Sequence, residues 1–520
     1  LKAFYNNYPW IGEKIMQKKN PIVHTKSGKL QGVFEDNLFV FKGIPYAAPP
    51  TGDLRWMPPQ PVKSWSGTRP AEKFGPICPQ NIMQPMGIPR PSYPEEPQDE
   101  GCLFLNVWTP GLDDKRRAVM VWIHGGAFTN GSGSSPMHPG ATLPKRGDVV
   151  LVTINYRLGP LGFLNLKYVT GGKIPASGNE GLLDQTTALR WVHENIVAFG
   201  GDPHNVTVFG ESAGAMSIGC LLAMPQAKGL FQKAILQSGS NTCRPLDEAK
   251  EVAVKYIGAL ELTGEDSEKL KSLPVQTLLS NLQKMMSLGV RGATMEPVVD
   301  GEVLPDFPLN AVKTGSAKGV TVMAGGNLNE GTLFALPVPG IAKLDEEGLR
   351  KRLAFMVPEK RVKDVIEAYR TALSKRNFTP TPTDIYIAIQ GDKQFRMPNI
   401  RLVEIQRNLG FPGYSYVFDW KCAVPELGAC HALDVGFVFG ATYKEFHGSG
   451  PSVNKLAQGI QEAWTAFART GNPNSPTMGE WPPYGKNRNT MILGANSHIE
   501  AAPYEEERAA WDGIDNEYLG

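Results

Sequence analysis

Val206-Thr207-Val208-Phe209-Gly210-Glu211-Ser212-Ala213-Gly214 is the stretch that decides the architecture. Four apolar or β-branched residues run straight into Gly-x-Ser-x-Gly, and the apolar run Ala215 to Leu222 follows at once. The first part reads as a strand and the last as a helix. A serine at such a turn is held in a strained backbone shape, with its hydroxyl projecting above the sheet. The flanking glycines relieve crowding, and the helix start behind supplies positive potential and free N–H groups. The competing reading is an ordinary N-cap serine. A strand before and a helix after favour a nucleophile.

Working outward, similar short apolar runs occur at Ala118 to Ile123, Val149 to Asn155, Ala234 to Leu236 and Val320 to Ala324. They are Val/Ile-rich and mostly unalternating, as expected of strands buried on both faces. Helical spacing lies between them. Asn179 to Phe199 repeats apolar residues at Leu182, Leu183, Leu189, Trp191, Val192 and Ile196. Arg350 to Leu373 and Val453 to Thr470 read as further amphipathic helices, and Leu246 to Met295 as a helix-rich cap. Shorter β-type runs come first, at Lys29 to Val33 and Leu38 to Lys42. Pro79 to Gly101 reads as a long surface loop. Strands alternating with helices imply an α/β fold with a mostly parallel sheet. No repeat or linker divides the chain. The expectation is one domain over 1–520, with helical insertions around 246–295 and 341–400.

The second motif is His124-Gly125-Gly126-Ala127-Phe128, directly after an apolar strand. In this architecture such a loop offers N–H groups to a developing oxyanion, joined by the residue after the nucleophile. The donors would be Gly125, Gly126 and Ala213. The neighbouring Gly131-Ser132-Gly133 is weak as a phosphate cradle, because no Lys-Ser/Thr follows. A base is sought downstream of Ser212, where His431, His447 and His498 stand. His431 follows the β-like run Tyr414 to Trp420, which favours it. For the acid, Glu330 lies just past the run Val320 to Ala324. Asp300, Asp306 and Asp392 compete.

The bulk numbers exclude other classes. Lys and Arg total 53 and Asp and Glu 51, leaving a formal charge of +2 over 520 residues. That balance gives no electrostatic reason to expect nucleic acid or an anionic membrane as a partner. No apolar stretch reaches the 18 or so residues of a membrane span. The first residues, Leu1-Lys2-Ala3-Phe4, lack the pattern of a signal peptide. None of the six cysteines forms a Cys-x-x-Cys pair, which argues against a zinc ribbon. Asn130, Asn205 and Asn377 begin glycosylation sequons, at a frequency chance would produce.

Together the motifs resemble the type-B carboxylesterase/cholinesterase family, with the closest likeness among its bacterial p-nitrobenzyl esterases. The resemblance runs through Phe41-Lys42-Gly43-Ile44-Pro45-Tyr46-Ala47, Cys102-Leu103-Phe104-Leu105-Asn106-Val107, Asn155-Tyr156-Arg157-Leu158-Gly159 and Phe199-Gly200-Gly201-Asp202-Pro203. It continues to Phe437-Val438-Phe439-Gly440 and Thr470-Gly471-Asn472-Pro473. It implies an α/β-hydrolase fold with a Ser212, Glu330, His431 triad. Glu211 and Asp434 would be acids supporting that triad. It also implies a Cys78–Cys102 disulfide, stabilising by roughly 3–4 kcal/mol on a chain-entropy argument, and an Arg55–Glu100 pair.

The chain departs from the family pattern at Gly101, at Asn329 and at Cys422 and Cys430. The last two would form a short bridge or stay free thiols. The implied activity is hydrolysis of carboxylic esters of small to medium apolar acyl or aryl groups, without metal or organic cofactor. Acetylcholine is disfavoured, because Pro79 to Gly101 has no tryptophan to face a quaternary ammonium. A non-catalytic binding module on this fold would have lost the nucleophile, and a peptidase would carry propeller-like repeats ahead of these blocks. The expected partner is a small-molecule ester, with the chain as monomer or homodimer. A secreted or periplasmic location is favoured if Cys78 and Cys102 are bridged.

Overall fold

The computed structural model describes residues 20–81, 95–288, 294–376 and 378–520. The middle of the expected Pro79–Gly101 loop, the end of the 246–295 cap and Asn377 lie outside the described residues. An eleven-stranded sheet forms the centre. Its strands are β1 (Val33–Glu35), β2 (Leu38–Pro45), β3 (Phe104–Thr109), β4 (Arg117–Ile123), β5 (Val150–Ile154) and β6 (Gly201–Glu211). They continue with β7 (Lys233–Gln237), β8 (Thr321–Asn327), β9 (Gly413–Phe418), β10 (Asn489–Leu493) and β11 (His498–Ala501). The spatial order is β11-β10-β9-β8-β7-β6-β4-β5-β3-β2-β1. Strands β4 to β10 pair in parallel, and both edges are antiparallel.

The unalternating runs have a direct cause. In β4, Val119, Val121 and Ile123 enter one core cluster, while Ala118, Met120 and Trp122 enter the cluster on the opposite face. Helices cover both faces, so neither face of the strand meets water. The helices that matter for the site are α1 (Glu180–Asn195), α2 (Ala213–Ala223), α3 (Pro382–Gly391), α4 (Leu433–Phe439) and α5 (Pro451–Thr470). Between β7 and β8 lie helices Leu246–Gly258, Ser267–Ser272 and Val275–Ser287. Between β8 and β9 lie Glu346–Leu353, Val362–Ser374, α3 and Met397–Asn408. The single helix expected over Arg350 to Leu373 is therefore two. Pro358 stands in the gap, where it disfavours helical backbone at the residue before it.

Arg55 pairs with Glu100 at 2.5 Å and also donates to the carbonyls of Lys271 and Leu273, tying the N-terminal loops to the cap helices. One cysteine expectation is not met, and one left open takes its second form. Cys78 and Cys102 are neighbours, but both stand as buried thiols rather than as the disulfide the resemblance implies. The side chains are hydrogen-bonded to each other; that bond, with burial, holds the Cys102 thiol well above its usual pKa. The Leu158 N–H also donates to the Cys78 sulfur at 3.2 Å. Cys422 and Cys430 are likewise thiols in mutual hydrogen-bond contact. Among the described residues no helix is long and apolar enough to cross a membrane.

Candidate active site

Ser212 sits between β6 and α2 with φ 54° and ψ −125°, outside the regions an L-residue prefers. Two glycines make this turn possible. A Cβ on Gly210 would lie 2.6 Å from the Ile123 carbonyl, and one on Gly214 only 2.0 Å from the same oxygen. The Ser212 N–H donates to the Gln237 carbonyl at 2.9 Å, which pins the turn to the end of β7.

The His124 loop closes over the same place. A Cβ on Gly125 would come within 3.1 Å of the Ser212 Cβ and 2.6 Å of the Glu211 carbonyl. Gly126 has φ 115°, and a Cβ there would meet the Asn130 carbonyl at 2.2 Å. Glycine is thus required at both positions. Ala213 opens α2, whose first N–H groups have no partner within the helix. His124 itself has its Nδ1 2.9 Å from the Gly125 carbonyl. It is buried and stacked on Tyr156, whose hydroxyl donates to the His124 carbonyl at 2.7 Å.

His431 lies just before α4, buried with 5% exposure. Its Nδ1 is 2.6 Å from Glu330 Oε2, and its Nε2 is 3.1 Å from Glu211 Oε1. Glu330, just past β8, accepts the Asn327 N–H on its other oxygen at 2.7 Å. That leaves Oε2 for the imidazole. The Asn327 side chain donates to the Cys430 carbonyl at 2.6 Å. Asn329 holds the histidine loop twice more: its N–H donates to the Ala429 carbonyl at 2.9 Å, and its Oδ1 accepts the Ala429 N–H at 3.0 Å. Asn329 is therefore a pin for the loop, a role its place in the sequence does not show.

Asp434 is fully enclosed. It accepts from Gln237 at 2.8 Å, and Gln237 in turn accepts from Trp464 at 3.1 Å. The competing residues are elsewhere. Asp300 caps a turn through the N–H groups of Glu302, Val303 and Leu304. Asp306 accepts from Phe307 N, and Asp392 is paired with Arg396. His447 accepts from Tyr443 N at 3.1 Å, and His498 is exposed at an edge strand.

The electrostatics are those of one imidazole among three carboxylates. Burial alone would lower the His431 pKa, but Glu211, Glu330 and Asp434 outweigh it and raise it above the usual imidazole range. Burial raises Glu211 above the usual carboxylate range. In the role of base proposed below, His431 must be neutral to accept a proton, so activity would be absent below its pKa and gained as pH rises through it. The expected result is a kcat/KM profile whose acid limb has its midpoint above the roughly 6.5 of a free imidazole. Glu211→Gln removes a negative charge beside Nε2, so it should move that midpoint down. A pH-rate profile of both proteins checks this.

A strained serine at a strand-to-helix turn, a carboxylate-held imidazole and a glycine loop closing over them define a serine hydrolase of the α/β-hydrolase fold. The model of the carboxylesterase family matches residues 19–511, and the chain belongs to that family. It is similar to the para-nitrobenzyl esterase of Bacillus subtilis (strain 168), 38% identical over 94% of this chain and 97% of that protein. It is 34% identical to the phenmedipham hydrolase of Pseudarthrobacter oxydans, over 93% of this chain and 96% of that one. A solved carboxylesterase of Geobacillus stearothermophilus superimposes with a TM-score of 0.84 at 40% identity, covering 94% of this chain and 100% of the other. The protein is a serine carboxylesterase that hydrolyses carboxylic esters.

Proposed function

We propose that Ser212 is the nucleophile, His431 the general base and then acid, and Glu330 the carboxylate that orients the imidazole. The observation that carries this reading is the imidazole held by Glu330 on one edge, with its other edge turned to the Glu211–Ser212 turn. Ser212 Oγ attacks the ester carbonyl as His431 Nε2 takes its proton. The N–H groups of Gly125, Gly126 and Ala213 receive the oxyanion, each donor contributing roughly 3–4 kcal/mol of transition-state stabilisation. The imidazolium then gives its proton to the leaving alkoxide. Water, activated by the same base, returns Ser212 from the acyl-enzyme. Asp434, buried behind the pair, adds negative potential for the imidazolium without touching substrate.

The preferred substrates are esters of small to medium apolar acyl or aryl groups. Two features support this. The half-buried ring of Phe334 lies 5.0 Å from the His431 ring and presents an apolar wall beside the reacting atoms. The name of the para-nitrobenzyl esterase relative favours a benzyl-type alcohol. Hydrolysis of p-nitrophenyl esters from acetate to palmitate, together with p-nitrobenzyl acetate, tests this directly. The expected profile is highest for the short and medium acyl chains, with the benzyl ester cleaved. A kcat/KM that keeps climbing to palmitate contradicts the substrate reading.

A further inference from the structure

Asp392–Arg396 is a single π-helical turn between α3 and the helix Met397–Asn408. Such turns are rare and occur frequently at functional sites. This one aims Phe395 at His431. Phe395 is 1% exposed, and its ring centroid is 4.5 Å from that of His431 at an interplanar angle of 34°. Phe334 also packs on the imidazole, and the two phenyl rings stack on each other at 5.7 Å.

The same segment presses on the acid. A Cβ on Gly391 would lie 2.9 Å from the Gly331 N and 3.2 Å from the Glu330 Cβ. A Cβ on Gly331 would lie 2.2 Å from the Ile387 carbonyl. The far side of the turn is anchored. Arg396 Nε donates to Asp392 at 2.6 Å, the Tyr369 hydroxyl donates to the same carboxylate, and Trp511 Nε1 donates to the Tyr369 hydroxyl at 2.7 Å. The end of α3 and the turn that continues it, fixed by a buried ion pair, thus pack against both the acid and the base.

We propose that Phe395 is a positioning residue for His431, an inference that rests on His431 being the base. The imidazole must keep Nδ1 on Glu330 while Nε2 serves first the serine and then the leaving oxygen. Rocking of the ring breaks one alignment or the other. The phenyl ring packed on it blocks that rocking, and its π-electrons favour the imidazolium over the neutral ring. Phe395 is buried, so its effect reaches the reaction through the histidine and not through substrate binding.

The test compares Phe395→Leu and Phe395→Met with wild type and with Phe467→Leu, a control in the core cluster on the opposite face. Methionine is smaller than phenylalanine, but its unbranched, polarizable chain can refill the space without a flat ring, so it guards against a variant that fails to fold. Displacements of reacting groups by about 1 Å can cost 100-fold in rate, so kcat should fall by about 10- to 100-fold with KM nearly unchanged. The acid limb of the pH profile should move down, and the downfield proton resonance of His431 Nδ1–H should broaden. The control should show none of these changes. Folded Phe395 variants with wild-type kcat and an unchanged resonance overturn the proposal. So does an equal loss in Phe467→Leu at matched thermal stability. His431→Gln separates the two levels of the argument. If it keeps full activity, the base assignment itself fails. If it is inactive while both Phe395 variants behave as wild type, only the Phe395 inference falls.

Discussion

Ser212→Ala should lower kcat by about 10⁴- to 10⁶-fold, the scale on which serine hydrolases lose their nucleophile. The residual rate would come from the amides of Gly125, Gly126 and Ala213 and from substrate binding, which the substitution leaves in place. KM should change little. The fold should also survive, because the turn is built by Gly210 and Gly214 against the Ile123 carbonyl rather than by the serine side chain. The strain at φ 54° should show in a companion variant. A non-glycine residue held in such a conformation costs on the order of 1–3 kcal/mol. Ser212→Gly should therefore be more stable than wild type to urea and equally inactive. A nucleophile kept at a cost in stability is what a functional constraint looks like in this turn. Steady-state kinetics on a p-nitrophenyl ester and denaturant titrations of both variants check the two halves.

Glu330→Gln should cost about 10⁴-fold in kcat with no change in the position of the side chain, by analogy with amide-for-carboxylate changes in other triads. Hydrogen-bond direction is the cause. The Asn327 N–H donates to one oxygen of Glu330 at 2.7 Å and fixes that atom as an acceptor. In the glutamine variant the carbonyl oxygen must stay there, so the NH₂ group faces His431 Nδ1. The imidazole then has to accept at Nδ1 and carry its proton on Nε2. That is the tautomer unable to take a proton from Ser212. Glu330→Asp keeps the charge but shortens the reach, so it should lose less than the glutamine variant. Rates for the pair, measured with one ester, separate loss of charge from loss of position.

How much of this was legible in the sequence depends on the range of each contact. The strands could be read because β4 to β9 are buried on both faces and so lack alternation. The Ser212 turn could be read because strand, turn and helix are contiguous within Val206 to Leu222. Glu330 and His431 were legible as candidates, each just past a strand, but their 2.6 Å contact spans 101 residues and no local pattern encodes it. The helix break at Pro358 is a local signal that a reading by apolar periodicity alone passes over. The roles of Asn329 and Phe395 are different in kind. Each acts on the His431 loop from a distant part of the chain, through a side-chain amide in one case and a ring face in the other. Neither leaves a spacing or a motif. The thiol pair Cys78 and Cys102 marks the opposite error: the partners meet as the resemblance implies, but the bond is absent.

The central claim is that one serine carries the acyl group, and covalent trapping tests it most directly. The enzyme would be treated with a p-nitrophenyl phosphonate, a mimic of the tetrahedral state, and measured by intact and peptide mass spectrometry. The account predicts one adduct per chain, on Ser212, forming in step with loss of esterase activity, and no adduct on Ser212→Ala. An adduct on another residue that abolishes activity, or full activity with Ser212 modified, would contradict it.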